Sequence, residues 1–321
     1  MRRTPGNMDL QSIKSLILTL PEVGRWPELA SLVNRVGDQA AVDWQLPLVA
    51  CEAVGGRPEE AASGAAAILC LQASILLVDD ILDDDPRGEY HRLGVGRTAN
   101  LALALEAVAS QVVSSSQLPF DRRAAGLSTL ASMAVQTAFG QDLDVSQPTT
   151  EGEYWTVVRA KSTPFYGAAL KVGAQLGGAE PAVAEALYSL GVLVGEIVQL
   201  QDDLYDAFAT PAKPDWDRPA NNLLILYART ASYPDHDLFL ALAQQAHDPQ
   251  SLRQAQEILI RCGAVSFCAF HIVQRHQKAH RLLGELVLPN REPLLSFLTQ
   301  QAVPIRTLLQ RVGADVPEEL R

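Results

Sequence analysis

Five aspartates occupy the seven positions from Asp79 to Asp85, and three more, Asp202, Asp203 and Asp206, repeat the spacing of Asp79, Asp80 and Asp83. Each group closes a long apolar run, AAAILCLQASILLV before the first and LYSLGVLVGEIVQLQ before the second. Residues four apart share a helix face, so Asp79 pairs with Asp83, and Asp80 with Asp84 beside it. Carboxylates in such a place repel one another and stand at the negative end of the helix dipole. A chain that keeps them needs a cation. Oxygen donors in that number suit Mg²⁺, whose other sites are filled by water and substrate phosphate. The chemistry such a centre serves is departure of a diphosphate: metal takes up charge as the carbon–oxygen bond breaks, and apolar walls keep water from the carbocation. One cluster alone reads as a solvated helix end. Two at the same point of two buried helices point to one shared cavity.

The elements that must position these groups read as helices. Leu10, Ile13, Leu16, Ile17 and Leu20 recur at helical spacing until Pro21. A helix is expected from Pro27 to Val54 with a break near Pro47, closed by Gly55-Gly56, and Pro58-Glu59-Glu60 opens the helix that leads to the first aspartates. Helices follow over Thr98–Val113 and Asp121–Asp144, and two long helical patterns cover 154–178 and 182–208. The stretch from Thr210 to Asn222 carries three prolines and reads as a mobile loop. Periodicity resumes over Leu223–Ala228, Asp237–Ala246, Ser251–Leu283 and Glu292–Val312. With no repeat and no alternating strand pattern, the chain is expected to be all-α, a single domain over 1–321 with roughly ten or more helices.

Composition fits that reading. Hydrophobic residues make up 48% of the chain and aromatics only 6%, as suits a core of aliphatic side chains between stacked helices. A net charge of -11 with no Lys/Arg cluster excludes a nucleic-acid partner, because phosphate backbones need a basic footprint. Cys51, Cys70, Cys262 and Cys268 lack CxxC spacing and read as free thiols in a reducing, cytoplasmic compartment. Arg2 and Arg3 are followed by Pro5, Gly6, Asn7 and Asp9 rather than an apolar core, so no secretory signal is expected. The longest apolar run carries Gln72 and ends in acids before reaching membrane-spanning length, so no transmembrane helix is expected. His276 and His280, four apart, read as a surface pair.

DDILD at 79–83, GQDLD at 140–144, the Lys161-Ser162 pair and QLQDD..D at 199–206 resemble the trans-prenyltransferases, the polyprenyl diphosphate synthase family. The resemblance implies a bundle of mostly antiparallel helices around a central cavity, usually a homodimer. It implies that Asp79 and Asp83, with Asp80 or Asp84, hold two Mg²⁺ ions, and that Asp202, supported by Asp203 and Asp206, holds a third. It further implies that Lys161, Ser162, Gln199 and Lys213 contact an allylic prenyl diphosphate, with Arg87 as the remaining arginine after the first aspartates. Gln72 matches a position that helps bind the second substrate, and Gln141 and Asp144 match the floor of the cavity. Ser74 and Ile75, before the first aspartates, are not aromatic, which implies an unplugged cavity and products of medium to long chain. The released diphosphate serves as proton acceptor in the family's mechanism.

The sequence departs from the family at the acceptor. Members that add isopentenyl diphosphate carry a basic GGKRxRP segment, where this chain has QAAVDWQLPLV from Gln39 to Val49. Each lost charge-assisted contact removes about 1.5–3 kcal/mol of binding. Arg57, Arg92 and Arg97 are the candidates to replace those cations, and a GK pair of the family is replaced by Asn221-Asn222. The expected activity is Mg²⁺-dependent condensation of an allylic diphosphate with isopentenyl diphosphate. The alternatives are a terpene-synthase-like reaction, prenyl transfer to another acceptor, and a non-catalytic partner subunit. Trp216 is expected to cap substrate from the proline-rich loop, while Trp44 and Trp155 read as core.

Overall fold

The computed structural model describes residues 8–35, 42–145, 149–218, 221–311 and 315–320. The calls on Arg2, Arg3, Pro5, Gly6 and Asn7, and those on Gln39 and Val312, lie outside them. Seventeen α-helices are described. In chain order they are α1 (Leu10–Leu18), α2 (Pro21–Gly24), α3 (Pro27–Arg35), α4 (Leu46–Ala53), α5 (Ala62–Leu82), α6 (Tyr90–Leu93), α7 (Val95–Ser114), α8 (Phe120–Val145) and α9 (Glu151–Lys161). They continue as α10 (Thr163–Leu176), α11 (Pro181–Phe208), α12 (Leu223–Thr230), α13 (His236–Ala243), α14 (Pro249–Arg261), α15 (Ala264–Glu285), α16 (Glu292–Gln301) and α17 (Val303–Arg311). No strand occurs among the described residues, so the all-α expectation holds.

Several boundaries differ from the periodicity. Of the expected helix over 27–54, the described residues form α3 up to Arg35 and, from Val42, a 3-10 turn, Val42–Gln45, followed by α4, where Pro47 sits in the first turn rather than at a break. Ser162 divides α9 from α10, and Gly263, at φ +93, divides α14 from α15. Periodicity reads through both breaks because the apolar pattern on either side is continuous.

The chain forms two compact units, each discontinuous in sequence, and the division falls inside helices, α8 and α11 among them. In the first unit, α5 packs on α1, α4 and α7, and from Ala62 to Leu77 nearly every side chain is buried. Such a helix has no polar face to spare. Burial of each large aliphatic side chain there contributes about 1.5–3 kcal/mol. In the second unit, Tyr154, Trp155, Ile197, Leu200, Phe239 and Ile272 belong to one apolar core. Trp216 joins it, 4% exposed and 6.2 Å from the Phe239 ring, so the expected cap over substrate is instead a core residue.

Two helical stretches, Pro58–Leu82 and Pro181–Phe208, are long and apolar enough to cross a membrane by length and composition. This corrects the expectation that no run reaches that length. In the first, 78% of the apolar window is buried inside the protein, and in the second 50%.

Candidate functional site

The first aspartates sit where α5 stops. Asp83 is its C-cap, and Asp84 turns left-handed at φ 55, a conformation that aspartate tolerates better than most residues. The Asp85 N–H then bonds the Asp80 carbonyl at 3.0 Å, closing the helix end on its own carbonyls. Asp79 and Asp80 remain helical while Asp84 leaves, so the expected Asp80/Asp84 face pair does not form. The Asp84 carboxylate accepts the Tyr90 hydroxyl at 2.7 Å. Asp85 accepts both Nε and a terminal nitrogen of Arg87, at 3.1 and 2.7 Å. Partial burial, then the neighbouring Asp85 and Asp79, raise the Asp80 carboxyl above the usual range, against the pull of Arg87. Arg92 pairs with Glu89 and Glu28, and Arg97 with Glu28. Neither replaces the missing cations.

Two turns back along α5, Gln72 donates to the Asp43 carboxylate at 3.1 Å, and the Tyr166 hydroxyl reaches the same oxygen at 3.4 Å. Asp43 is 4% exposed and lies in the 3-10 turn before α4. Burial raises its carboxyl above the ordinary range, although both hydrogen bonds oppose the shift. Gly173 brings the helix of Tyr166 onto α4: a Cβ there would stand 2.2 Å from the Pro47 carbonyl oxygen. Ile75 is partly exposed. Ser74 is not a cavity residue, being 3% exposed with its hydroxyl donated to the Ala102 carbonyl of α7 at 2.9 Å.

In the second unit the predicted residues form a chain of contacts. Lys161 pairs with Asp144 at 2.6 Å. The Ser162 hydroxyl donates to Gln199 Oε1 at 2.7 Å, and Gln199 Nε2 donates to Asp203 at 2.9 Å. Gln141 and Asp144 are both 7% exposed. A Cβ at Gly140 would stand 2.2 Å from the Lys161 backbone nitrogen, so the glycine of GQDLD is what lets α8 and α9 touch beside the lysine.

The aspartates of α11 separate by face. Asp202 is exposed and Asp206 half-buried, with Lys213 at 3.8 Å from Asp206. Asp203 turns inward, 1% exposed. It accepts the Tyr154 hydroxyl at 2.7 Å and the Leu223 N–H at 2.7 Å besides Gln199. Burial pushes its carboxyl to about 7 despite those bonds.

Sequence reasoning missed the scaffold behind this site. Asn222 caps α12 and donates to the Asp203 carbonyl and to Asp215, each at 2.8 Å. Burial raises Asp215 to about 6. Glu196, three residues before Gln199, takes Arg275 and Arg159, each at 2.9 Å, and Arg275 also lies 4.0 Å over the Trp155 ring. Only Asn222 carried a local signal, as a cap before an apolar run.

Among the described residues no group of three or more His, Cys, Asp or Glu side chains is set to hold a metal ion. The donor chemistry still fits a hard cation. Asp79, Asp80 and Asp83 are carboxylate oxygen donors within five residues of one helix end, and Asp85 and Asp79 add to the burial that raises the Asp80 carboxyl.

The sequence profile described as polyprenyl synthetase matches residues 45–259. A short chain isoprenyl diphosphate synthase of Methanothermobacter thermautotrophicus is 30% identical over 239 residues, covering 69% of this chain and 73% of that one. The fold is similar to that of a geranylgeranyl pyrophosphate synthetase from Pyrococcus horikoshii, with TM-score 0.78, 23% identity and coverage of 91% of this chain and 94% of that one. It is also similar to a geranylgeranyl pyrophosphate synthase from Corynebacterium glutamicum complexed with calcium and isoprenyl diphosphate, with TM-score 0.73, 21% identity and coverage of 92% and 94%.

Proposed function

Since the chain belongs to the polyprenyl synthetase family and is a prenyltransferase, we propose that it ionises an allylic prenyl diphosphate and transfers the prenyl group as a carbocation. The observation that carries this reading is that α5 and α11 end in carboxylates, each end within its own unit, with a cation beside them, Arg87 by Asp85 and Lys213 by Asp206. Asp79, Asp80 and Asp83 would hold Mg²⁺, and Asp202 and Asp206 a further ion, the resemblance implying three in all. Bound Mg²⁺ supplies charge neutralisation for the departing diphosphate. Lys161, Ser162, Gln199 and Lys213 bind and orient that group, and Arg87 does so once released from Asp85. Asp203 acts by holding Gln199, and Asp84 by closing α5.

Isopentenyl diphosphate is the acceptor that family membership supports, and the absence of an aromatic side chain at the partly exposed Ile75 favours medium to long products. Transfer to another acceptor is favoured by one observation, the buried Asp43 beside Gln72. The whole chain acts as one domain in this reading, because the division between the units falls inside helices. A homodimer is supported by apolar side chains left exposed at Leu103 of α7 and at Val135 and Phe139 of α8. The four free cysteines favour a cytoplasmic location.

Asp79→Ala and Asp202→Ala should each lower Mg²⁺-dependent consumption of geranylgeranyl diphosphate by about 100-fold or more, since each removes charge stabilisation at the breaking bond. Both should stay folded by circular dichroism. Mg²⁺ with inorganic diphosphate should raise the melting temperature of the wild type and not of these variants. Full turnover in either variant would remove the assignment.

A further inference from the structure

The stretch from Thr210 to Asn222, whose prolines suggest a mobile loop, is tied down on both sides of Lys213. Before the lysine, Gln256 of α14 donates its side-chain amide to the Ala207 and Ala209 carbonyls, each at 3.2 Å, where α11 ends and helical partners run out. After it, Trp216 is buried near Phe239. The Asn222 amide nitrogen then spans two acceptors, the Asp203 carbonyl of α11 and the Asp215 carboxylate, each at 2.8 Å. Asn222 is itself fully buried, and its oxygen accepts the Leu224 and Ile225 N–H groups at the start of α12. Lys213 caps the 3-10 turn Pro214–Trp216 that carries Asp215, with its ammonium 3.8 Å from Asp206.

Trp216 fixes the depth of that turn, because apolar packing has little direction. The bond from Asn222 to Asp215 has direction and fixes how the turn is rotated against α11. Electrostatically, Asp215 is an unfavourable neighbour for an anion. Burial, and then Asp206 and Asp144, raise its carboxyl against the Asn222 bond and the charge of Lys213. Any help it gives to anion binding must therefore come through what it holds in place.

We propose that Asp215 is a positioning residue, which through Asn222 fixes the turn that presents Lys213 to the diphosphate beside Asp202 and Asp206. This rests on the reading that Lys213 binds the allylic diphosphate. Asp215 itself touches no substrate. Its tether needs an acceptor oxygen and no charge, since the partner is a neutral amide.

The test is calorimetric binding of inorganic diphosphate with Mg²⁺ to the full chain, together with the KM for geranylgeranyl diphosphate. Asp215→Ala should weaken diphosphate binding and raise that KM by about ten-fold, the loss of one well-placed charge-assisted contact. Asp215→Asn keeps an oxygen for Asn222 and removes a negative charge, so it should bind as the wild type does or more tightly. In a Lys213→Ala background, Asp215→Ala should cost nothing further. Tighter binding by both Asp215 variants would make the residue only a repulsive charge, and weaker binding by both would make it a ligand of the cation. Either result overturns the inference, as does an additive double variant. Asp215→Ser, with its oxygen one bond closer to the main chain, should behave as alanine does and replaces it if the alanine variant does not fold. Wild-type binding that Lys213→Ala leaves undiminished overturns this inference and leaves the donor reading standing. No binding of diphosphate by the wild type overturns both.

Discussion

The two aspartate clusters share one spacing and meet different fates. At the end of α5 the helix stops inside the motif, so Asp83 and Asp84 become cap and turn, and the carboxylates are held by short-range partners such as Tyr90 and Arg87. At the end of α11 the helix runs on to Phe208, beyond the last aspartate. The same spacing therefore divides into an outward pair, Asp202 and Asp206, and an inward Asp203 bonded to Tyr154, Gln199 and Leu223. A motif fixes relative direction only as long as its helix continues. The first cluster is a set of charges at a turn held by local partners, and the second is anchored through Asp203 in a packed interior.

The largest effect that would sharpen this contrast lies behind the anchored cluster. Glu196→Ala leaves the buried Arg275 guanidinium without its carboxylate, and stability to urea should fall by about 3–5 kcal/mol. Next, Asp203→Ala strands a hydroxyl, an amide and a backbone N–H in the interior, for a loss of about 2–3 kcal/mol in the same measurement. Asp84→Gly should change stability by less than about 1 kcal/mol, because glycine relieves the left-handed turn while the Tyr90 bond is lost. If Asp84→Gly were the more damaging of the two aspartate changes, the contrast would be reversed.

The smallest effect is a pH dependence of the second unit. His276 is fully buried, not a surface residue as its spacing suggests, and burial with the nearby His280 lowers it to about 4. An unfolded histidine binds its proton near 6.5, so between 6.5 and 4 the unfolded chain takes up more protons than the folded one. Stability should be full above 6.5 and decline as pH falls toward 4. His276→Leu should flatten that part of a melting-temperature profile, and an unchanged slope would assign the acid sensitivity elsewhere.

Much of this was legible in the sequence because it is local. Helical periodicity gave the long elements, and the apolar runs gave the helices that carry the aspartates. The Lys161, Ser162 and Gln199 contacts lie among residues that the motifs already grouped. What escaped is long-range: Asp203 faces inward because Tyr154 and Leu223 wait there, and Asp43 meets Gln72 across 29 residues. Trp216 sits among prolines that mark a loop, and only its neighbour Phe239 makes it core. Ser74 looked like a cavity residue by its place in the chain, and the Ala102 carbonyl shows it turned toward α7.

The contact of α8 with α9 at Gly140 has a mechanical consequence. A lysine is ordinarily a tethered charge, free to wander on four methylenes, and its side-chain torsions are soft at thermal energy. Here the root of the tether is clamped, because main chain presses on main chain and leaves less room than one methyl group needs. With Asp144 restraining the other end, the ammonium behaves more like a fixed electrode than a mobile counter-ion. If Lys161 binds the diphosphate as proposed, the substrate meets a charge already in place, and less of the binding free energy is spent on ordering the side chain.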